Sequence, residues 1–172
     1  MLRNNLRKMK KRYLILILLL LILVIFASKV VLNFTPSMKI GLYLKQKGEI
    51  KKGDIVLVCL SEPYKTIGLQ HHYIMKGNKC AGTEPLIKKV IAIPNDKVIL
   101  TDEYLKVNGQ KFAYPTYYFD SQNRPLKVFP RGKYQQGYWL IGTNDKRSWD
   151  SRYWGFVNRD QILVKLRAFL LW

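Results

Sequence analysis

The sequence predicts a mainly β domain, built of coiled antiparallel β-sheets or a small barrel, behind one N-terminal transmembrane helix. Three observations carry that expectation. Residues 13–27 read YLILILLLLILVIFA without a charge. From residue 33 onward the apolar residues come in short runs, rich in β-branched and aromatic types and separated by turn formers. No segment beyond residue 33 sustains the apolar stripe of an amphipathic helix.

The N-terminal stretch holds Arg3, Arg7, Lys8, Lys10, Lys11 and Arg12 and no acid. Positive charge stays on the cytoplasmic side of a membrane segment. Residues 1–12 are therefore expected as a cytoplasmic basic tail, 13–32 as the transmembrane anchor or signal segment, and 33–172 as an exported domain. The apolar run reaches about twenty residues if Ser28 and Lys29 are bridged to Val30–Leu32, against roughly 20 needed to span a bilayer. That length suits a retained anchor or a cleaved signal. Lys29, Val30 and Val31 make a poor cleavage site after Phe26-Ala27-Ser28, which favours retention.

Strands follow in order at 40–45 (IGLYLK), 54–60 (DIVLVCL), 86–93 (LIKKVIAI), 97–100 (KVIL), 138–142 (YWLIG) and 162–169 (ILVKLRAF). Asn108-Gly109 inside YLKVNGQKF supplies the two positive-φ positions of a type I′ hairpin turn. Residues 60–79 and 114–136 read as long loops, suited to shaping a cleft or to packing their many aromatics.

The net charge of +19 raises nucleic acid as a partner. Part of that charge is the tail, and the rest is scattered without a basic and aromatic interleaving, which suits anionic lipid head groups better and makes nucleic acid a minor option. Cys59 and Cys80 are the only cysteines. Beyond a membrane two thiols usually pair, and closing this loop is worth about 3 kcal/mol in the chain-entropy picture. The plain alternative is two buried thiols. His71 and His72 are expected at the surface, since neither has the spacing of a metal ligand set. No metal and no cofactor is expected.

The chemistry is narrowed by what is missing. There is no Gly-x-Ser-x-Gly elbow, no His-Glu-x-x-His and no Gly-rich phosphate loop. A serine activated by lysine remains. A free lysine, with pKa about 10.4, is neutral in fewer than roughly one molecule per thousand at pH 7, so a lysine base needs burial or nearby charge to lower that value by several units. In PLIKKVIAI, Lys88 shares a strand face with Leu86, Val90 and Ala92, and Lys89 shares the other with Ile87, Ile91 and Ile93. One lysine must point inward, and the pattern does not say which.

Five segments, in order, then resemble the boxes of the signal peptidase I clan: TPSMKIGLY (35–43), GDIV (53–56), PLIKKVIAIPNDKV (85–98), VNG (107–109) and GTNDKRSWDSRYWGFV (142–157). Gly-Leu-Tyr soon after the serine, a cysteine in the strand after Gly-Asp, a second just before Pro-Leu-Ile-Lys, and RPL at 124–126 resemble its conjugative-transfer branch, the TraF-type peptidases. The resemblance implies a β domain of signal peptidase I type, with Ser37 as nucleophile and Lys88 as general base. It further implies that Thr35 helps the Ser37 N–H hold the oxyanion, that Ser148 orients the lysine amine, and that Asp150 and Arg152 form a bracing ion pair. Three departures stand out: Lys39 replaces a proline, Asn95 replaces a glycine that Asn can imitate, and Thr143 stands where general signal peptidases have an aspartate. Met38 is expected as an apolar neighbour of the membrane surface.

The expected protein is thus a serine endopeptidase of the bacterial inner membrane, single pass, with its catalytic domain in the periplasm. Its implied substrate is an exported precursor, the propilin of conjugation, cleaved and released by water or cyclised by an amine. Inner-membrane lipids and the conjugative transfer apparatus are its implied partners. The alternatives are a general leader peptidase and a non-catalytic component of a conjugation or secretion channel.

Overall fold

The computed structural model describes residues 2–172, with side chains described for Lys10 and from Arg12 onward. Arg3, Arg7, Lys8 and Lys11 of the basic tail therefore lie, as side chains, outside the described residues. The chain divides into a helical unit ending at Val31 and a β unit from Leu32 to Trp172.

The helical unit is α1 (Leu2–Lys29), whose Arg12–Lys29 portion is long and apolar enough to cross a membrane. Its large apolar side chains, Leu14 to Phe26, stand exposed, as lipid-facing residues do and core residues do not.

After α1 the chain runs on as β1 (Val30–Asn33), within which the β unit begins, then β2 (Gly41–Gln46), β3 (Ile55–Val58), α2 (Tyr64–Gln70), β4 (Lys76–Gly77), β5 (Gly82–Thr83) and β6 (Leu86–Ala92). After these come β7 (Val98–Leu100), β8 (Leu105–Val107), β9 (Gln110–Phe112), β10 (Gly132–Tyr134), β11 (Trp139–Ile141), the single turn α3 (Ser151–Trp154) and β12 (Ile162–Leu171). A six-stranded sheet runs in the order β1-β2-β12-β3-β6-β11, and a four-stranded sheet in the order β10-β7-β8-β9. The registered pairs are antiparallel, and bulges break the register of β11 at Trp139/Leu140 and of β12 at Ala168/Leu170. Such extra residues bend and coil a strand. The mainly β, coiled antiparallel architecture is what the sequence predicts.

Two apolar cores hold this together. Val56, Val58, Val90, Leu140 and Ile162 build one; Val98, Leu100, Leu105, Val107 and Trp139 build the other. β6 and β11 feed both, because Val90 and Leu140 face the first while Ile91, Ala92 and Ile141 face the second. A strand covered on both faces reads as a continuous apolar run, and that is why periodicity alone did not separate Lys88 from Lys89.

The Asn108-Gly109 turn has φ of 47° and 90°, the two left-handed positions a I′ hairpin needs between β8 and β9. Asn95 stands at φ 75°, imitating the glycine it replaces. The reading of 60–79 as loop needs correction, since residues 64–70 form α2. Thr66, Ile67 and Gly68 are poor helix formers, so local propensity hid it. Gly68 is there for contact: a Cβ on it would strike the Ile74 side chain and Trp149. The Cys59–Cys80 disulfide ties down both ends of this excursion. In the other long loop, 114–136, β10 occupies the last part and a Phe119–Pro125 bridge closes the middle.

Candidate active site

Ser37 sits in the non-repetitive segment that joins β1 to β2, and Lys88 in the interior of β6, paired with Val56 of β3. Both line one cavity of about 320 Å³, together with Thr35, Ser148, Trp149 and Tyr153. Two residues 51 positions apart in sequence are thus brought to one opening by the six-stranded sheet.

Lys88 is 2% exposed. Burial pushes its amine down to about 8; the nearby Asp150 and Asp145 carboxylates pull upward and the Arg152 guanidinium pushes further down. Loss of hydration dominates because an ammonium is costly in a low-dielectric interior. The amine donates to Ser148 Oγ at 2.8 Å, which fixes where its nitrogen points. Lys89, by contrast, is half-buried. A poised amine of this kind can accept a proton near neutral pH, and a serine in the same cavity can supply one.

The wall behind them is built from the segment after β11. Asp150 and Arg152 are both fully buried and pair in fork geometry, Nε to Oδ1 at 2.8 Å and Nη2 to Oδ2 at 2.9 Å. The remaining guanidinium hydrogens go to carbonyl oxygens: Nη1 to Lys146 at 2.9 Å and to Pro115, Nη2 to Ser148 at 2.8 Å. Asp150 also receives the Gly142 N–H at 3.1 Å and caps α3 through the Arg152 N–H at 3.2 Å. A buried ion pair is tolerable only when its hydrogen bonds are completed in this way. Because Arg152 holds the Ser148 carbonyl, the pair fixes the residue that aims Lys88.

The serine segment is clamped from the other side. Asn144 donates its N–H to the Ser37 carbonyl at 3.1 Å and its side-chain amide to the Pro36 carbonyl at 3.0 Å. Gly142 lies between the two halves, and a Cβ there would collide with the Ser148 side chain and the Ser37 carbonyl. Met38 is 3% exposed and accepts a weak bond from the Thr143 hydroxyl at 3.6 Å. The expectation that Met38 faces the membrane surface is therefore corrected: it is an inward anchor of the loop.

Thr35 lines the cavity, but its hydroxyl donates to Asn33 Oδ1 at 2.8 Å, so its proton is held within the segment. The opposite rim comes from the two long connections. Asp120 accepts from the Tyr73 hydroxyl at 2.7 Å and Arg124 Nε at 2.6 Å, and Arg124 Nη2 reaches the His71 carbonyl at 3.0 Å. Burial alone would raise the Asp120 pKa, but these donors win and hold it well below the usual carboxylate range. The RPL loop is thereby latched onto the disulfide-tied excursion. His72 is exposed on the cavity wall, as expected of a surface residue. His71 departs from that expectation: it is half-buried and stacks on Tyr73 at 5.3 Å.

Of the residues the sequence points to, the fold brings Ser37, Lys88, Thr35 and Ser148 to one cavity, buries the Asp150–Arg152 pair behind it and joins Cys59 to Cys80. Asn33, Gly142 and Asn144 act through backbone contacts, which a single sequence does not display.

The family model described as signal peptidase, peptidase S26, matches residues 6–172. A plasmid transfer protein TraF of Escherichia coli is 30% identical over 146 residues, 82% of each chain. A signal peptidase IB of Staphylococcus aureus (strain Mu50 / ATCC 700699) is 30% identical over 144 residues, 72% of this chain and 71% of its own. A crystal structure of a signal peptidase I from Enterococcus faecalis V583 aligns with a TM-score of 0.41 at 19% identity, over 71% of this chain and 100% of that one. The family match takes in the apolar helix, the serine segment, the lysine strand and the last strand, and the chain belongs to the S26 signal peptidases, a family of serine peptidases.

Proposed function

We propose that the protein is a membrane-anchored endopeptidase in which Ser37 is the nucleophile and Lys88 the general base, and that it processes an exported precursor, the pilin subunit of plasmid conjugation. The observation that carries this reading is the buried Lys88 amine, held by Ser148 at 2.8 Å in the cavity that Ser37 lines. With its pKa at about 8, roughly a tenth of the amine is neutral at pH 7, on the order of a hundredfold or more above a free lysine.

The neutral amine takes the Ser37 hydroxyl proton as Oγ attacks the scissile carbonyl. Negative charge then collects on the carbonyl oxygen, next to the Ser37 N–H. Thr35 adds a second donor once its hydroxyl leaves Asn33 Oδ1. Lys88, now an ammonium, returns the proton to the leaving amine, and the acyl group stays on Ser37 until water or another amine displaces it.

Precursor processing follows from the family, and conjugation is favoured by the TraF relative over 82% of the chain. The Cys59–Cys80 disulfide suits an oxidising compartment, which supports a periplasmic domain on a single inner-membrane anchor. The exposed apolar side chains Phe34, Phe169, Leu170, Leu171 and Trp172 support contact with membrane lipid near the serine segment. The similarity to a signal peptidase IB keeps general leader peptidase activity as the second reading.

Mass spectrometry of the exported pilin from cells with and without the protein tests the assignment. Processing that requires the protein is expected, and a product lighter by one further water marks an amine as the acyl acceptor. Equal processing without it would overturn the pilin assignment.

A further inference from the structure

Asn33, the last residue of β1, is 3% exposed and spends every polar atom of its side chain on the segment that carries Ser37. Its amide oxygen accepts the Thr35 N–H at 3.1 Å and the Thr35 hydroxyl at 2.8 Å. Its amide nitrogen donates to the carbonyls of Thr35 at 3.0 Å, Met38 at 3.1 Å and Lys39 at 3.0 Å. One side chain therefore grips the backbone on both sides of the serine. Two hydrogens serve three carbonyls, so one is shared.

We propose that Asn33 is the positioning residue for the nucleophile: its carboxamide sets the path of residues 35–39 and holds the Thr35 hydroxyl until an oxyanion forms. This rests on the reading of Ser37 as nucleophile. The segment between β1 and β2 has no sheet partners of its own, so its shape must come from such contacts. Lys39 makes the need sharper. It lacks the ring that would restrict the backbone just after Ser37-Met38, and its carbonyl is held instead by Asn33 Nδ2 at 3.0 Å and the Tyr43 hydroxyl at 2.6 Å. Hydrogen bonds here supply a restraint that proline would supply covalently.

The chemistry explains why asparagine suits the position. Thr35 presents two donors, and the carbonyls present acceptors, so the group between them must both accept and donate. A carboxylate only accepts and a lysine only donates; an amide does both on one planar head. Leucine is close to asparagine in size but would leave the Thr35 N–H and the Met38 and Lys39 carbonyls without this partner.

Asn33→Leu tests this in the purified full-length chain in detergent, with Asn33→Asp as a second variant that keeps the acceptor and loses the donors. The substrate probe is a model precursor with an apolar segment followed by an Ala-x-Ala site. For each variant kcat is expected to fall by roughly 100-fold with KM changed less than about threefold, since a displacement near 1 Å at a nucleophile has a cost of that order. Limited trypsin digestion, mapped by mass spectrometry, supplies a readout that needs no activity: cleavage at Lys39–Ile40 is expected to rise severalfold in each variant, at a temperature where wild type and both variants remain folded. An unchanged kcat, or a fall in kcat without any rise in cutting at Lys39, would overturn the proposal. A Ser37→Ala control separates the two ideas. If it retains activity, the nucleophile reading falls on its own, while digestion still decides whether Asn33 holds the segment.

Discussion

Replacing Lys88 by methionine removes the buried amine and keeps much of its volume. In the folded chain the amine sits at about 8 against an ordinary value of 10.5. At pH 7 folding must therefore desolvate a group that is protonated in the unfolded chain, at a cost of about 3 kcal/mol. Methionine lifts that cost but forfeits the bond to Ser148, worth about 1 kcal/mol. Lys88→Met should thus stabilise the protein by about 2 kcal/mol at pH 7 while abolishing its activity. The sign with pH follows from proton counting. Between about 8 and 10.5 the unfolded chain binds more protons than the folded one, so wild-type stability recovers as pH rises through that window. The variant lacks this recovery, and its advantage should shrink to about zero by pH 10. Guanidinium unfolding of the full-length chain in detergent, followed by the fluorescence of buried Trp139 and Trp154, measures both quantities. A variant less stable than wild type at pH 7, or an advantage independent of pH, would refute the desolvated-amine argument.

Gly142→Ala places a methyl against Ser148 and the Ser37 carbonyl; turnover is expected to fall more than about 100-fold, and denaturant unfolding should show a loss of about 1–3 kcal/mol from the overpacking. Asp150→Ala leaves the fully buried Arg152 without its carboxylate, and chemical denaturation should show a loss of about 3–5 kcal/mol. Reducing Cys59–Cys80 frees the excursion that carries α2 and the His72 rim of the cavity; thermal unfolding with and without dithiothreitol should show a loss of about 3 kcal/mol.

The legible parts of this protein share a physical character. The strands of the large sheet announced themselves through short β-branched runs, and the β8–β9 hairpin through two residues that tolerate positive φ. Lys88 and Lys89 were visible as charges in an apolar strand, but burial on both faces of β6 removed the alternation that would have chosen between them; only the ordered boxes of a family did so. α2 was hidden because its sequence has poor helix formers and its stability comes from Gly68 packing on Ile74 and Trp149. Asn33 and Asn144 were hidden for a different reason. Their side chains bond to backbone atoms, and a backbone atom carries no letter in the sequence. Met38 misled because its apolar side chain next to a membrane segment suits lipid and core equally, and only the Thr143 wall decides.

The proposed reaction requires Ser37 and Lys88 to act together. Processing of a membrane-inserted precursor by purified Ser37→Ala, Lys88→Ala and Lys89→Ala tests it most directly, with wild type assayed from pH 6 to 9. The first two variants are expected to fold and show no processing, Lys89→Ala to retain most of it, and the wild-type rate to rise with pH through about 8 as the Lys88 amine loses its proton. Processing by folded Ser37→Ala or Lys88→Ala at the wild-type rate would contradict it.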